Sequence, residues 1–174
     1  MIEHFFEYSY HVHAEPEPNL ERINLTNLVT ECLAESIADF EEKNLAVHIE
    51  ETVPVFACAD KEMVIRIIQN LIRNCVAHSD GDIEVQIWTT QNAVISFRNH
   101  VKNASELDVN WIFERFYTAN KAKSRTTGLG LSIVRFLAEQ LGGSTSASIE
   151  DGFLKIKVEL PDANADCNPA AFED

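Results

Sequence analysis

The sequence has little positive charge. It contains 14 Lys and Arg residues against 28 Asp and Glu residues, which gives a formal net charge of -14 over 174 residues. Nucleic acids and anionic membrane surfaces are bound through clusters of Lys and Arg. The composition therefore argues against both partners. A phosphate-bearing small molecule stays possible, because its site needs only a few local donors.

Cysteine is also scarce, and no two of the four cysteines have C-x-x-C spacing. They are scattered over the apparent core and the tail, which argues against a zinc site and against a disulfide framework. The sequence predicts buried free thiols in a reducing cytosol. The four residues are Cys32, Cys58, Cys75 and Cys167.

Long apolar runs are missing, and no stretch approaches the length of a transmembrane helix or resembles a signal peptide. Hydrophobic residues nevertheless make up 45% of the chain, enough for one domain with its own core. We expect a cytoplasmic domain that is not itself embedded in a membrane, whatever a longer parent protein contains.

Hydrophobic periodicity predicts an α+β two-layer sandwich, with about three helices on one face of a mixed, largely antiparallel sheet. The expected helices cover residues 26–43, with Thr26 as N-cap, 60–77, with Asp60 as N-cap, and 128–141; a shorter helix is expected at 109–116. The expected strands are residues 46–49 and 55–58 and two hairpins at 82–99 and 144–160.

The ends of the chain differ in composition from its middle. Residues 1–14 are rich in aromatics and are followed by Pro16 and Pro18, which end any helix. Residues 1–18 are therefore either the end of an upstream helix with its linker or an arm folded on the domain. Residues 19–161 form the domain, and residues 162–174 are expected to be a flexible tail.

The second predicted helix carries a pair of asparagines. Asn70 and Asn74 are four residues apart, so they share the helix face that otherwise carries apolar residues. A buried carboxamide without a partner is costly, and its oxygen is a suitable ligand for Mg²⁺. The pair is therefore either a metal site or two side chains that bond to neighbouring backbone.

Two glycines open the third predicted helix, directly after a polar and basic segment. Gly128 and Gly130 would expose backbone N–H groups at the helix N-terminus, where phosphate binds well. Residues 118–127 supply Lys121, Lys123 and Arg125 in an otherwise acidic chain. These features predict a mobile phosphate-binding loop, although a solvated turn before an ordinary helix start would leave the same pattern.

Together, these segments resemble the catalytic and ATP-binding domain of sensor histidine kinases, which has the Bergerat-type fold of the GHKL ATPase superfamily. Residues 70–74 (NLIRN) are similar to its asparagine box, residues 112–117 (IFERFY) to its phenylalanine box, and residues 128–134 (GLGLSIV) to its second glycine box. The resemblance covers residues 20–160. The aromatics of IFERFY could also simply fill the core.

The resemblance implies an ATP–Mg²⁺ site. Asn74 would coordinate the metal with support from Asn70, and the glycines would hinge a lid over the nucleotide at residues 118–127. The residues expected to contact the nucleotide are Asn70, Asn74, His78, Asn99, Lys121, Lys123, Arg125, Thr127, Gly128, Leu129, Gly130 and Leu131.

The chain departs from the family pattern beside the base and the phosphates. Residues 99–103 (NHVKN) replace the family's Asp-x-Gly-x-Gly, so Asn99 would read adenine through a neutral oxygen, with a modest preference over guanine. Alternatively, Asn99 only caps the preceding strand. Ala77 replaces a basic residue, and His78 after it could touch the nucleotide or lie at the surface. Thr118 stands where an Arg often follows the aromatic box.

No histidine of the chain has the sequence context of the family's phosphoacceptor. His4, His11 and His13 lack the acidic residue and the basic-Thr-Pro stretch that follow the acceptor. The resemblance therefore implies an acceptor histidine on a separate upstream dimerisation domain, a response regulator as partner, and a membrane-anchored dimeric parent. Two alternatives stay open: a pseudo-catalytic interaction module of the same fold, or another GHKL ATPase, such as an anti-sigma factor kinase or a mismatch-repair or chaperone ATPase.

Overall fold

The computed structural model describes residues 17–50, 53–115, 117, 130–163 and 167. A short 3-10 helix, Ala104–Glu106, lies in the segment between β5 and α4. The other elements of the described residues are, in chain order, β1 (Glu21–Asn24), α1 (Leu25–Glu35), α2 (Ile37–Glu42), β2 (Val47–Ile49), β3 (Phe56–Ala59), α3 (Lys61–His78), β4 (Ile83–Thr89), β5 (Asn92–His100), α4 (Gly130–Gln140), β6 (Ser144–Glu150) and β7 (Phe153–Pro161).

Five strands form one mixed sheet in the order β2-β4-β5-β7-β6. Strand β2 runs parallel to β4, and the other three neighbouring pairs are antiparallel. Alternate residues of β7, from Leu154 to Leu160, are buried, so one face of the sheet carries the core. Helices α3 and α4 pack against each other and against β5 and β7. The predicted α+β sandwich with a mixed, largely antiparallel sheet is confirmed.

The expectation of one sheet is wrong for β3. This strand pairs antiparallel with β1 in a separate two-stranded sheet, in which Glu21 is opposite Ala59 and Asn24 is opposite Phe56. Strand β1 has four residues, of which only Ile23 is buried, so it is too short to show an alternating pattern.

The predicted first helix has a different start and an unexpected break. Asn24, not Thr26, is the N-cap, because its side chain accepts the backbone N–H three residues further on at 3.0 Å. The Thr26 hydroxyl instead accepts the N–H of Val55 at 3.0 Å, which ties the helix to the segment before β3. At Ser36 the helix divides into α1 and α2, and the Ser36 hydroxyl donates to the carbonyl of Cys32 at 3.0 Å.

Helix α3 begins and ends where the sequence predicts. The Asp60 side chain caps it by accepting the N–H of Met63 at 3.2 Å. Its buried stripe includes one polar residue, Asn70, among Val, Ile, Leu and Cys side chains. Among the helices that the structure describes, none combines the length and the apolarity needed to cross a membrane.

The short helix predicted at 109–116 is wrong for its described residues, which form consecutive turns. The N–H of Glu114 donates to the carbonyl of Trp111, three residues earlier, at 2.8 Å. The Asp108 carboxylate accepts both the backbone N–H of Asn110, at 2.9 Å, and its side-chain amide, at 3.0 Å. This local bonding competes with the hydrogen bonds of an α-helix.

The prediction of four free thiols is wrong for two of them. Cys58 of β3 forms a disulfide with Cys167, whereas Cys32 and Cys75 are free and buried. Three described residues of the predicted tail are thus held at β3, since Asp162 pairs with Ala57 and the N–H of Ala163 donates to the carbonyl of Phe56 at 3.3 Å. The two partner cysteines are 109 residues apart, so spacing alone could not show the pair.

Candidate nucleotide site

Helix α3 presents the two predicted asparagines from neighbouring turns. Asn70 is 2% exposed, and its side-chain nitrogen donates to the carbonyl of Arg66 at 2.8 Å. Its Oδ1 has no hydrogen-bond partner. Asn74 is half-buried, and its Nδ2 is also buried without a partner. Two neighbouring carboxamides with unpaired buried atoms are unusual, because each such atom lowers the free energy of unfolding by about 1–3 kcal/mol.

The N-terminus of α4 lies directly at the first of these unpaired atoms. A Cβ atom on Gly130 would be 3.4 Å from Asn70 Oδ1, so the start of the helix lies beside this buried oxygen with no side chain between them. A helix N-terminus has unbonded N–H groups and attracts anions. The side chain of Leu131 is buried in the core, which leaves only its backbone N–H for a ligand. The structure thus brings the asparagine box together with the described part of the second glycine box, which begins at Gly130.

Asn99 of β5 joins the same cluster. It is 1% exposed, and its Oδ1 is 3.8 Å from the thiol of Cys75, the residue that follows Asn74 in α3. Its Nδ2 has no partner. Strand β5 continues through Asn99 to His100, so the side chain does not cap the strand end. Burial raises the pKa of the Cys75 thiol to about 12, which keeps it protonated near neutral pH.

The segment after Asn99 is built without glycine. Outside glycine, the described residues with a positive φ are Asn44 and Asp151, so the backbone at 99–103 needs no left-handed conformation. Val101 is 2% exposed, and its N–H donates to the carbonyl of Gly152 at 3.0 Å. The valine side chain thus belongs to the core, and its backbone is anchored to the turn between β6 and β7. This anchored segment stands where the family has its glycines.

His78 ends α3 at an exposed position. Desolvation of the imidazole lowers its pKa, which favours the neutral form. A neutral imidazole can donate one N–H to a nucleotide but does not offset phosphate charge. The neutral form would not supply the charge that the family's basic residue has at the position of Ala77, and the contact of His78 with the nucleotide stays a prediction.

Lys121, Lys123, Arg125, Thr127, Gly128 and Leu129 lie outside the described residues, and their roles stay predictions.

Two side chains on either side of residues 118–129 form an ion pair that the sequence did not predict. Arg135 of α4 donates to Glu114 at 3.2 Å and to Glu139 at 3.1 Å. The only signal in the sequence was opposite charge, which is too common in a charged surface helix to indicate a partner 21 residues away.

Cys75 is the other site residue that the sequence did not identify. It sits in the apolar stripe of α3, where a cysteine is read as a small core residue. Its contact with Asn99 depends on how the helix is placed across β5, which periodicity does not specify. The one signal in the sequence for this part of the site is the position of residues 99–103, which stand where the family has its first glycine box.

Comparison with known proteins identifies the group to which this arrangement belongs. Residues 59–164 match the family model described as histidine kinase-, DNA gyrase B-, and HSP90-like ATPase. The chain is 33% identical over 150 residues to the sensor protein DltS of Streptococcus agalactiae serotype III, covering 82% of this chain and 38% of DltS. It is 29% identical over 146 residues to the sensor protein VanSC of Enterococcus gallinarum, covering 81% of this chain and 40% of VanSC. The chain thus spans well under half the length of these relatives.

Solved structures share the fold. The catalytic domain of histidine kinase ThkA superimposes with a TM-score of 0.71 at 20% identity, covering 83% of this chain and 96% of ThkA's domain. The Acinetobacter baumannii histidine kinase AdeS superimposes with a TM-score of 0.74 at 17% identity, covering 94% of this chain and 77% of the AdeS chain. At these identities the likeness concerns the fold.

Proposed function

The chain belongs to the family of histidine kinase-, DNA gyrase B- and HSP90-like ATPases, and we propose that it is the ATP-binding catalytic domain of a sensor histidine kinase. It binds ATP with Mg²⁺ along α3 and transfers the γ-phosphate to a histidine on a separate dimerisation domain. The observation that carries the proposal is the position of Gly130, at the start of α4, beside the unpaired Oδ1 of buried Asn70.

The residues at the phosphate end suit a metal–phosphate group. Asn70 and Asn74 both retain buried amide atoms without partners, and a carboxamide presents either its oxygen or its nitrogen after a half-turn about its last torsion. Asn74 would offer its oxygen to Mg²⁺, and Asn70 would support it from the preceding turn. When bound, Mg²⁺ neutralises charge on the phosphate oxygens. The backbone N–H groups at the start of α4 would bind the phosphates, as helix N-termini do in many sites.

The remaining phosphate contacts are assigned to the lid at residues 118–127. Lys121, Lys123 and Arg125 would offset the charge that the acidic chain does not otherwise neutralise, and Thr127 and Leu129 would contact the nucleotide beside Gly128. In the described part, the Arg135–Glu114 ion pair ties α4 to the segment that leads into the lid. This pair would hold the two ends of the lid close together.

The acceptor histidine lies on another domain in this proposal. The chain covers 38–40% of relatives that are named sensor proteins, so most of such a protein lies outside it. Residues 1–18 would be the end of an upstream dimerisation helix and linker, residues 19–161 the catalytic domain, and residues 162–174 its tail. The parent would be membrane-anchored, with this domain in the cytoplasm and a response regulator as its partner.

Calorimetric titration with ATP, with and without Mg²⁺, tests the site. We expect Mg²⁺-dependent binding by the wild type and its loss in Asn74→Ala, because the variant lacks the oxygen ligand. Asn27→Ala, at an exposed position on α1, is the matched control and should bind as the wild type does. Normal ATP affinity in a correctly melting Asn74→Ala variant would contradict the metal assignment.

Labelling with γ-³²P-ATP tests the location of the acceptor. The chain alone should bind ATP yet acquire no acid-labile phosphate, because its own histidines lack the acceptor context. Stoichiometric phosphohistidine at His4, His11 or His13 would show that the acceptor lies within the chain and would overturn the assignment to a separate domain.

A pseudo-catalytic module is the second candidate, and one observation favours it. The segment 99–103 has no glycine, and Val101 is buried where the family has a residue without a side chain. Such a module would keep the fold and bind no ATP. The same titration separates the two candidates, since a folded wild-type chain that binds no ATP supports the module.

A further inference from the structure

The Asn99 carboxamide is nearly fully buried, yet among the described residues its side chain has a single weak partner. Its Oδ1 is 3.8 Å from the Cys75 thiol, and its Nδ2 has none. Burying an amide with such weak hydrogen bonding lowers the stability of the fold, because the amide loses its bonds to water without gaining strong ones in the protein. Such a group is suited to a ligand that completes its bonding.

The position of Asn99 relative to the phosphate end fits a nucleotide base. Asn70 marks the phosphate end, because it faces the start of α4 at Gly130. Cys75 lies five residues further along α3, or about 7.5 Å at 1.5 Å per residue. Asn99 contacts Cys75, so it lies beside the Asn74 turn of α3 and further along the helix than Asn70, which faces the start of α4.

The Cys75 thiol does not fix which end of the carboxamide faces the ligand. A thiol is a weak donor and a weak acceptor, so it can contact either the oxygen or the nitrogen of Asn99. Rotating the carboxamide by a half-turn therefore exchanges one weak contact for another of similar strength.

Purines differ at the edge that such a group reads. Adenine offers a donor at its 6-amino group and an acceptor at N1, whereas a 6-oxopurine offers an acceptor at O6 and a donor at N1. A carboxylate can only accept, so at position 6 of the purine it suits the amino group and repels the oxo group. A carboxamide that turns freely can match both edges.

We infer, on the basis of the proposed nucleotide-binding function, that this site takes 6-oxopurine nucleoside triphosphates as well as ATP, and that Asn99, with Cys75 behind it, determines this relaxed specificity. The sequence alone predicts a modest preference for adenine over guanine through the Asn99 side-chain oxygen. The loose contact with the thiol removes the basis for that preference.

Titration of the wild-type chain with Mg-ATP and with Mg-ITP is the primary test. Inosine triphosphate differs from ATP only at the edge in question, and GTP then adds the 2-amino group. The affinities for ATP and ITP should agree within about threefold, a difference of less than 1 kcal/mol. An ATP affinity more than about tenfold above that for ITP would overturn the inference and leave ATP binding intact.

Asn99→Asp should restore discrimination, raising the ratio of ATP to ITP affinity at least about tenfold, because charge-assisted hydrogen bonds are about twice as strong as neutral ones. Asn27→Asp adds the same charge at an exposed position and should leave the ratio unchanged. An Asn99→Asp variant that binds ATP with the wild-type ratio would refute the role of Asn99. If Asn99→Asp does not fold, the wild-type ratio still decides. Binding of neither nucleotide by the folded wild type would refute the proposed function and this inference together.

Discussion

Replacing Asn70 by leucine should stabilise the chain while weakening its binding of ATP. Asn70 is the one polar member of the buried stripe of α3, and its Oδ1 has no partner. Leucine branches at the same carbon atom, Cγ, and matches the apolar neighbours of Asn70. If the asparagine is there for the nucleotide, removing it should improve the fold without ligand and damage the site.

The expected gain in stability follows from the two polar atoms of the side chain. Removing the unpaired Oδ1 relieves about 1–3 kcal/mol, and losing the bond from Nδ2 to the Arg66 carbonyl costs about 1 kcal/mol. That carbonyl keeps its helical partner, so no new buried atom is left unpaired. The net change is a gain of about 1 kcal/mol in the free energy of unfolding, or about 2–4 °C in Tm for a chain of this size.

Two measurements on the same samples test this reasoning. Thermal and urea unfolding without nucleotide should show the higher stability, and calorimetry should show at least a tenfold loss of affinity for Mg-ATP. Asn27→Leu, at an exposed position of α1, should change neither quantity appreciably. A variant that is destabilised by more than 1 kcal/mol and binds ATP normally would show that Asn70 has only a structural role.

Gly130→Ala places a methyl group 3.4 Å from Asn70 Oδ1, an ordinary contact, so stability should hold while ATP affinity falls because the oxygen is covered; unchanged affinity would contradict the placement of the phosphates. Cys167→Ser opens the disulfide that links residues 109 apart, and should lower the free energy of unfolding by up to about 4–5 kcal/mol. Reductant should lower the wild-type unfolding midpoint in the same way and leave the variant unaffected, and a wild type that is insensitive to reductant would refute the cross-link.

Local patterns in the sequence determined much of the fold. Helix α3 and the two hairpins begin and end within a residue or two of their predicted positions, because an Asp N-cap, an apolar stripe and short polar turns are local signals. The pairing of Asn70 with Asn74 is equally local, since four residues make about one turn. The boxes at 70–74 and 128–134 were recognised without a structure through their resemblance to a known family.

Contacts between distant segments were decided only by the tertiary structure. The β1–β3 sheet, the Cys58–Cys167 disulfide and the contact of Cys75 with Asn99 each join residues that are 24 to 109 positions apart or lie in strands too short to show a pattern. No periodicity encodes which thiol meets which partner. The placement of α3 against β5 sets the contact of Cys75 with Asn99, and with it the weak hydrogen bonding of Asn99 on which the proposed base specificity depends.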